Sequence, residues 1–136
     1  MKKYLLDTNI CIFFIKGQYE LNRKIAQTGE QNCFISEMTV AELKYGIENS
    51  KIIESMRIVV EAFISKFAII PIYNSLDIYA KEKARLRKHG MLIDDFDILI
   101  GSTAIANDMT MVTNNVAHLS RLNNIIIEDW TVMEKQ

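Results

Sequence analysis

The chain has 136 residues, 49% of them apolar, which is enough to bury one substantial core. Its 17 acidic and 16 basic residues leave a formal charge of −1, so no global field draws it to nucleic acid or anionic lipid, and a polyanion must be held by a local patch. The apolar runs are far shorter than the ~20 residues of a membrane span, and Asp7 interrupts the first of them too early for a signal peptide, so a soluble, cytoplasmic protein without membrane contact is expected.

In chain order, "KYLLD" reads as a short buried strand, Ile10 to Lys16 as a short helix ended by Gly17, and Leu21 to Gln27 as another helix. "NCFIS" is a second strand, leading into the helical pattern of "TVAELKYGIEN". A long amphipathic helix follows from about Lys51 to Lys66, with Ile53, Met56, Val60, Phe63 and Ile64 on one face. "FAIIPI" is a third strand, and Ser75 is placed to cap a helix that runs to His89 and closes at Gly90. The remaining elements are a helix from about Asp94 to Asn107, a strand "TMVT", a turn or short helix over Asn115 to Arg121, and a last strand "NIIIE". Pro71 is the only proline, and neither repeat nor linker breaks the pattern, so residues 1–136 read as a single domain. Strands separated by helices predict an α/β fold, a parallel sheet covered on both faces. Cys11 and Cys33 lack a CxxC spacing and His89 and His118 stand alone, which gives no zinc cluster and no disulfide framework. Both cysteines are expected to be reduced core residues.

Ligands of open parallel sheets collect beyond the carboxyl ends of the strands, and Asp7 ends the first strand there, with Asn114 and Asn115 just past a later one. Each acid also has a plainer use. Asp7 suits the cap of the helix near Ile10, and Glu42 completes an S/T-x-x-E capping box with Thr39. Asp94 and Asp95 suit the start of their helix, with Asp94 also a possible auxiliary acid. Asp97 is harder to explain this way, because it directly precedes an almost wholly apolar helical stretch. At helical spacing from it, Gly101 and Ala104 form a small-residue stripe that would let a backbone or bound group come close.

If Asp7, Glu42 and Asp97 converge, two like charges ~5 Å apart at an effective dielectric of about 20 repel by roughly 3 kcal/mol. Three such pairs approach roughly 10 kcal/mol, comparable to the net stability of a domain. Such a cluster needs protons or a cation, and hard oxygen donors select Mg²⁺, with Mn²⁺ as a substitute. The chemistry that follows is phosphoester hydrolysis.

"YLLDTNI", "MTVAELKYG", "DFDILIGSTAIA", "MVTNN" and "IEDW", in this order and at these separations, resemble the PIN-domain ribonucleases, in particular the VapC toxins of VapBC toxin–antitoxin modules. The resemblance covers nearly the whole chain and implies a PIN-like fold and a Mg²⁺-dependent endoribonuclease that inhibits translation. It implies that Asp7 and Asp97 are the direct metal ligands and that Glu42 holds a metal-associated water or assists as a base. The family's fourth polar position is often Asp and here is Asn115, an amide without charge. The implied role of Asn115 is to orient water or substrate, and a second metal would bind weakly. Thr8, Asn9 and Thr113 would fix the carboxylates by hydrogen bonds. Homodimerisation and a VapB-like antitoxin whose tail covers the groove are also implied. So is an RNA substrate, with tRNA favoured because the "LLDTNI" and "EDW" ends lie near the tRNA-cutting subgroup.

Lys81, Lys83, Arg85, Arg87 and Lys88 share one helix just before the Asp94–Asp97 segment, either as a solvated face or as a patch that tracks RNA phosphates. Phe13, Phe14, Tyr45 and Ile47 are an apolar surplus for the core or for a partner surface. A noncatalytic PIN-like module that binds RNA or protein keeps the fold without the chemistry, and Asn115 would then be a sign of decay. A receiver with an acidic Mg²⁺ pocket would need a lysine after a late strand, and "MVTNN" has none.

Overall fold

The computed structural model describes residues 1–132. Five strands, β1 (Tyr4–Leu6), β2 (Cys33–Ser36), β3 (Ala68–Ile70), β4 (Thr110–Val112) and β5 (Ile127–Glu128), form one parallel sheet in the order β3-β2-β1-β4-β5. The chain winds from β1 through β2 to β3 on one side and then crosses to β4 and β5 on the other. The order therefore reverses at β1 and β4, the place where a parallel sheet opens a crevice past its strand ends. Leu6 pairs with Val112 in that central ladder, and the Asp7 amide extends it by donating to the Val112 carbonyl at 2.9 Å. Asp7 and Thr113 are thus delivered side by side at the rim.

Among the described residues seven helices cover the sheet: α1 (Thr8–Ile15), α2 (Leu21–Thr28), α3 (Glu37–Glu48), α4 (Ile53–Ile64), α5 (Leu76–Lys88), α6 (Asp95–Ala106) and α7 (Val116–Leu119). Alternation along the strands separates two cores. Leu6 and Val112 join Ile10, Leu43, Ile47, Val60 and Phe63 of α1, α3 and α4 on one face. Leu5 and Met111 join Leu86, Ile98, Ala104 and Leu119 of α5, α6 and α7 on the other. Cys11 and Cys33 are buried free thiols, as their apolar settings led us to expect. No helix among the described residues is long and apolar enough to cross a membrane.

Gly17 and Gly90 close α1 and α5 as read from the sequence, both with positive φ. In each case the next residue's amide reaches back across the turn, Gln18 to Phe13 at 2.9 Å and Met91 to Leu86 at 2.9 Å, so the last carbonyls are satisfied. Other boundaries moved. Helix α1 begins two residues earlier than expected, because Asp7 caps it by accepting from the Thr8 amide at 2.8 Å. Helix α3 begins at Glu37 rather than near Thr39, because Ser36 is its cap, with Oγ accepting from the Met38 amide at 3.1 Å. That removes the Thr39–Glu42 capping box: both residues lie inside the helix, and Glu42 is free for other work. Ser75 sits in a 3₁₀ turn (Tyr73–Ser75) and makes no cap hydrogen bond, so that expected cap is absent. The small stripe at Gly101 receives packing rather than a ligand, since a Cβ there would run into the Leu122 side chain and press on Leu119.

Candidate active site

Asp7 is only 4% exposed, and both its oxygens are held. Oδ1 accepts from the Thr8 amide, and Oδ2 accepts from Thr113 Oγ1 at 2.8 Å. The plainer reading of Asp7 as a helix cap is therefore correct, and it is incomplete: one oxygen caps while the other faces the switch point. Burial pushes the Asp7 carboxyl from 3.8 to about 6, against the pull of the two hydrogen bonds, and the Asp97 and Glu42 carboxylates push it the same way. Asp97, half-buried in the first turn of α6, is also raised, first by burial and then by the Asp94 and Glu42 carboxylates. The three acids thus share one electrostatic neighbourhood, although they come from three different elements.

Glu42 reaches the site from the middle of α3. Its Oε1 accepts from Thr8 Oγ1 at 2.7 Å, and the same hydroxyl lies 3.1 Å from Thr39 Oγ1. Thr8 therefore ties α1 to α3 and fixes one oxygen of Glu42. Asn9 Nδ2 lies 3.5 Å from Thr113 Oγ1, while its Oδ1 is buried with no hydrogen-bond partner among the described residues. Asp94 caps α6, its carboxylate accepting from the Phe96 amide at 3.1 Å. An open groove between α1 and α3, lined by Ile12, Ala41, Tyr45, Gly46 and Phe96, leads to Thr8 and Glu42. Among the described residues no three His, Cys, Asp or Glu side chains already close around one point. The donors are nonetheless hard oxygens whose burial and mutual repulsion favour a divalent cation. That donor chemistry fits Mg²⁺ or Mn²⁺.

Asn115 meets Thr113 through its backbone and His118 through its side chain. Its backbone amide donates to Thr113 Oγ1 at 2.9 Å, but its Nδ2 faces His118 Nδ1 at 3.3 Å. The basic helix is also divided. Lys83 pairs with Asp95 at 2.8 Å. Arg85 is committed to Glu82, at 2.9 and 3.0 Å, and to the Arg121 carbonyl at 2.7 Å. Lys81, Arg87 and Lys88 stay exposed and make no ion pair among the described residues. Of the apolar surplus, Ile47 is core, Phe14 packs on Phe63, and Tyr45 is exposed beside the groove.

Two residues beside the acids were read from the sequence only as something else, Thr39 as a helix cap and His118 as an isolated histidine. Thr39 is fully buried against Thr8, and its place one helical turn before Glu42 was the available signal. His118 is within electrostatic reach of Asp97, and its spacing of three from Asn115 was the signal there.

Residues 4–124 match the PIN domain. The chain is 35% identical to ribonuclease VapC2 of Rickettsia felis, over 93% of this chain and 97% of that protein. It is also 35% identical to the tRNA(fMet)-specific endonuclease VapC of Salmonella typhimurium, over 96% of this chain and 99% of that one. The fold superposes on the crystal structure of DNA-bound VapBC from Salmonella typhimurium with a TM-score of 0.89, at 32% identity, covering 96% of this chain and 99% of the other.

Proposed function

The chain belongs to the PIN-domain family, among the VapC ribonucleases, and from that premise we propose that it is the toxin of a VapBC-type module, a Mg²⁺-dependent endoribonuclease that cuts tRNA and so inhibits translation. The observation that carries the chemistry is a buried carboxyl at the sheet's switch point, Asp7, raised to about 6 beside two more acids. A structural acid would be paired with a cation or left to solvent.

Asp7 and Asp97 would hold the metal. A divalent ion bound there supplies Lewis acidity toward a phosphoryl oxygen and a more acidic water. Thr113 and the Thr8 amide keep the Asp7 carboxylate from turning, so its geometry is set before any substrate arrives. Glu42 has one oxygen pinned by Thr8, which leaves the other to orient water or take its proton. Lys81, Arg87 and Lys88 are the cations left to follow RNA phosphates. The specificity in the name of the Salmonella relative favours initiator tRNA as substrate.

A VapB-like antitoxin is the partner, and the apolar groove beside Glu42 suits an apolar segment of its tail, with a basic residue set among the acids. The protein acts as a homodimer in the cytoplasm.

The test is cleavage of initiator tRNA by purified protein with Mg²⁺. Asp7→Asn and Asp97→Asn should each slow cleavage by about a hundredfold or more while the protein stays folded, and excess EDTA should stop the wild type. Equal cleavage in EDTA would refute the metal mechanism. Tight binding of tRNA with Mg²⁺ or Mn²⁺ present, and no shortening of it, would instead mark a noncatalytic PIN-like module.

A further inference from the structure

Three hydrogen bonds run outward from the buried acid to the rim. Thr113 Oγ1 donates to Asp7 Oδ2 at 2.8 Å, the Asn115 amide donates to Thr113 Oγ1 at 2.9 Å, and Asn115 Nδ2 meets His118 Nδ1 at 3.3 Å. An amide nitrogen can only donate, so this contact is a hydrogen bond in the tautomer whose Nδ1 accepts and whose proton sits on Nε2. The ring is thereby fixed through one nitrogen and carries an N–H donor on the other side, while the residue as a whole is exposed. It also lies within electrostatic reach of Asp97.

A polyanion approaching Asp7, Glu42 and Asp97 needs donors at the edge of the acids, where like charge would otherwise turn it away. Two of the basic side chains on α5 are not available for this. Lys83 is taken by Asp95, and Arg85 by Glu82 and the Arg121 carbonyl. His118 is held in place by a chain of contacts that starts on Asp7 itself, which a merely solvated histidine would not require.

We propose that His118 contacts an RNA phosphate next to the acidic cluster through Nε2–H, and that Asn115 is the positioning residue that fixes its ring. This rests on the nuclease reading above and changes the part Asn115 plays in it, from water-orienting group to anchor.

The experiment compares the full-length protein with His118→Ala, His118→Gln, Asn115→Ala and the double alanine variant, in single-turnover cleavage of initiator tRNA with Mg²⁺. His118→Ala should lower cleavage about tenfold to a hundredfold, mostly through weaker half-saturation, the size of a lost hydrogen bond to a charged group. His118→Gln should recover part of it, because its amide still donates. Asn115→Ala should cost less, and the double variant no more than His118→Ala alone. Melting temperatures should stay within about 2 °C of wild type, since both side chains stand at the rim. Cleavage by His118→Ala within about twofold of wild type overturns the proposal. If wild type leaves tRNA intact, the nuclease reading fails, and His118 is judged separately by NMR. With ¹⁵N-histidine protein and the same tRNA in Ca²⁺, the His118 Nε2 signal should move and that of His89 should not. An unmoved His118 signal overturns the proposal.

Discussion

Two acids of this protein are almost equally hidden, Asp7 at 4% exposure and Glu82 at 8%, yet their surroundings push them in opposite directions. Glu82 accepts two hydrogen bonds from Arg85 and one from the Asn123 amide, and the Arg85 hydrogen bond leads in holding its carboxyl below the usual range. Asp7 has only neutral donors, Thr113 and the Thr8 amide, and faces Asp97 and Glu42, so it is raised to about 6. Burial alone therefore does not mark a site. What distinguishes the two is whether the fold supplies the compensating charge: Glu82 is a staple between α5 and the segment after α7, and Asp7 is left wanting a cation from outside.

The strongest way to break this contrast is to neutralise Asp7 and measure stability rather than activity. The difference between 3.8 and about 6 corresponds to about 3 kcal/mol of destabilisation at neutral pH. Losing the Thr113 hydrogen bond returns about 1 kcal/mol of that, so Asp7→Asn should be about 2 kcal/mol more stable than wild type at pH 7.5 by urea unfolding. The sign follows from the raised value. Below the unfolded value the folded protein keeps its proton without penalty, and that advantage is lost as pH rises through about 6, so the gain from Asn should vanish near pH 4.

Glu82→Ala should do the reverse, losing about 2 kcal/mol at neutral pH by leaving Arg85 and the Asn123 amide unpaired. Because the Glu82 carboxyl is depressed, its stabilisation is present above the ordinary carboxylate range and is lost as pH falls through its folded value. A comparable loss from both substitutions at pH 7.5 would refute the contrast.

Saturating Mg²⁺ should raise wild-type stability at pH 7.5, by about 1.4 kcal/mol at ten times its dissociation constant, and do so much less at pH 5, where Asp7 is largely protonated. Differential scanning fluorimetry against Ca²⁺-free and EDTA controls reads this directly. Smallest of all, Lys83→Ala removes the exposed pair with Asp95 and should leave the urea midpoint almost unchanged.

Much of the fold was legible because it rests on local signals. Apolar runs bounded by Gly17 and Gly90, and capping chemistry at Asp7 and Asp94, are properties of adjacent residues, and they put β1, α1, α5 and α6 nearly where they stand. The same local logic misplaced the cap of α3. Ser36 and Thr39 both satisfy cap chemistry, and only the end of β2, which delivers Ser36 in extended backbone, decides between them. The basic run on α5 also looked uniform, although Lys81 and Arg87 lie about 120° apart around the helix, Arg85 has Glu82 three residues before it, and Lys83 meets an acid, Asp95, that spacing alone does not assign to it.

By itself, then, the sequence determined the alternation of strands and helices and the presence of acids in places where solvation explains them poorly, since periodicity and caps are encoded within a few residues. Only the tertiary structure decided which acids share a neighbourhood and which are neutralised. Thr8 links Glu42 to α1, Thr113 links β4 to Asp7, and Lys83 of α5 neutralises Asp95. The physical reason is that electrostatic energy depends on distance through space, and residues 34 or 106 positions apart meet only because the parallel sheet brings its strand ends to one rim.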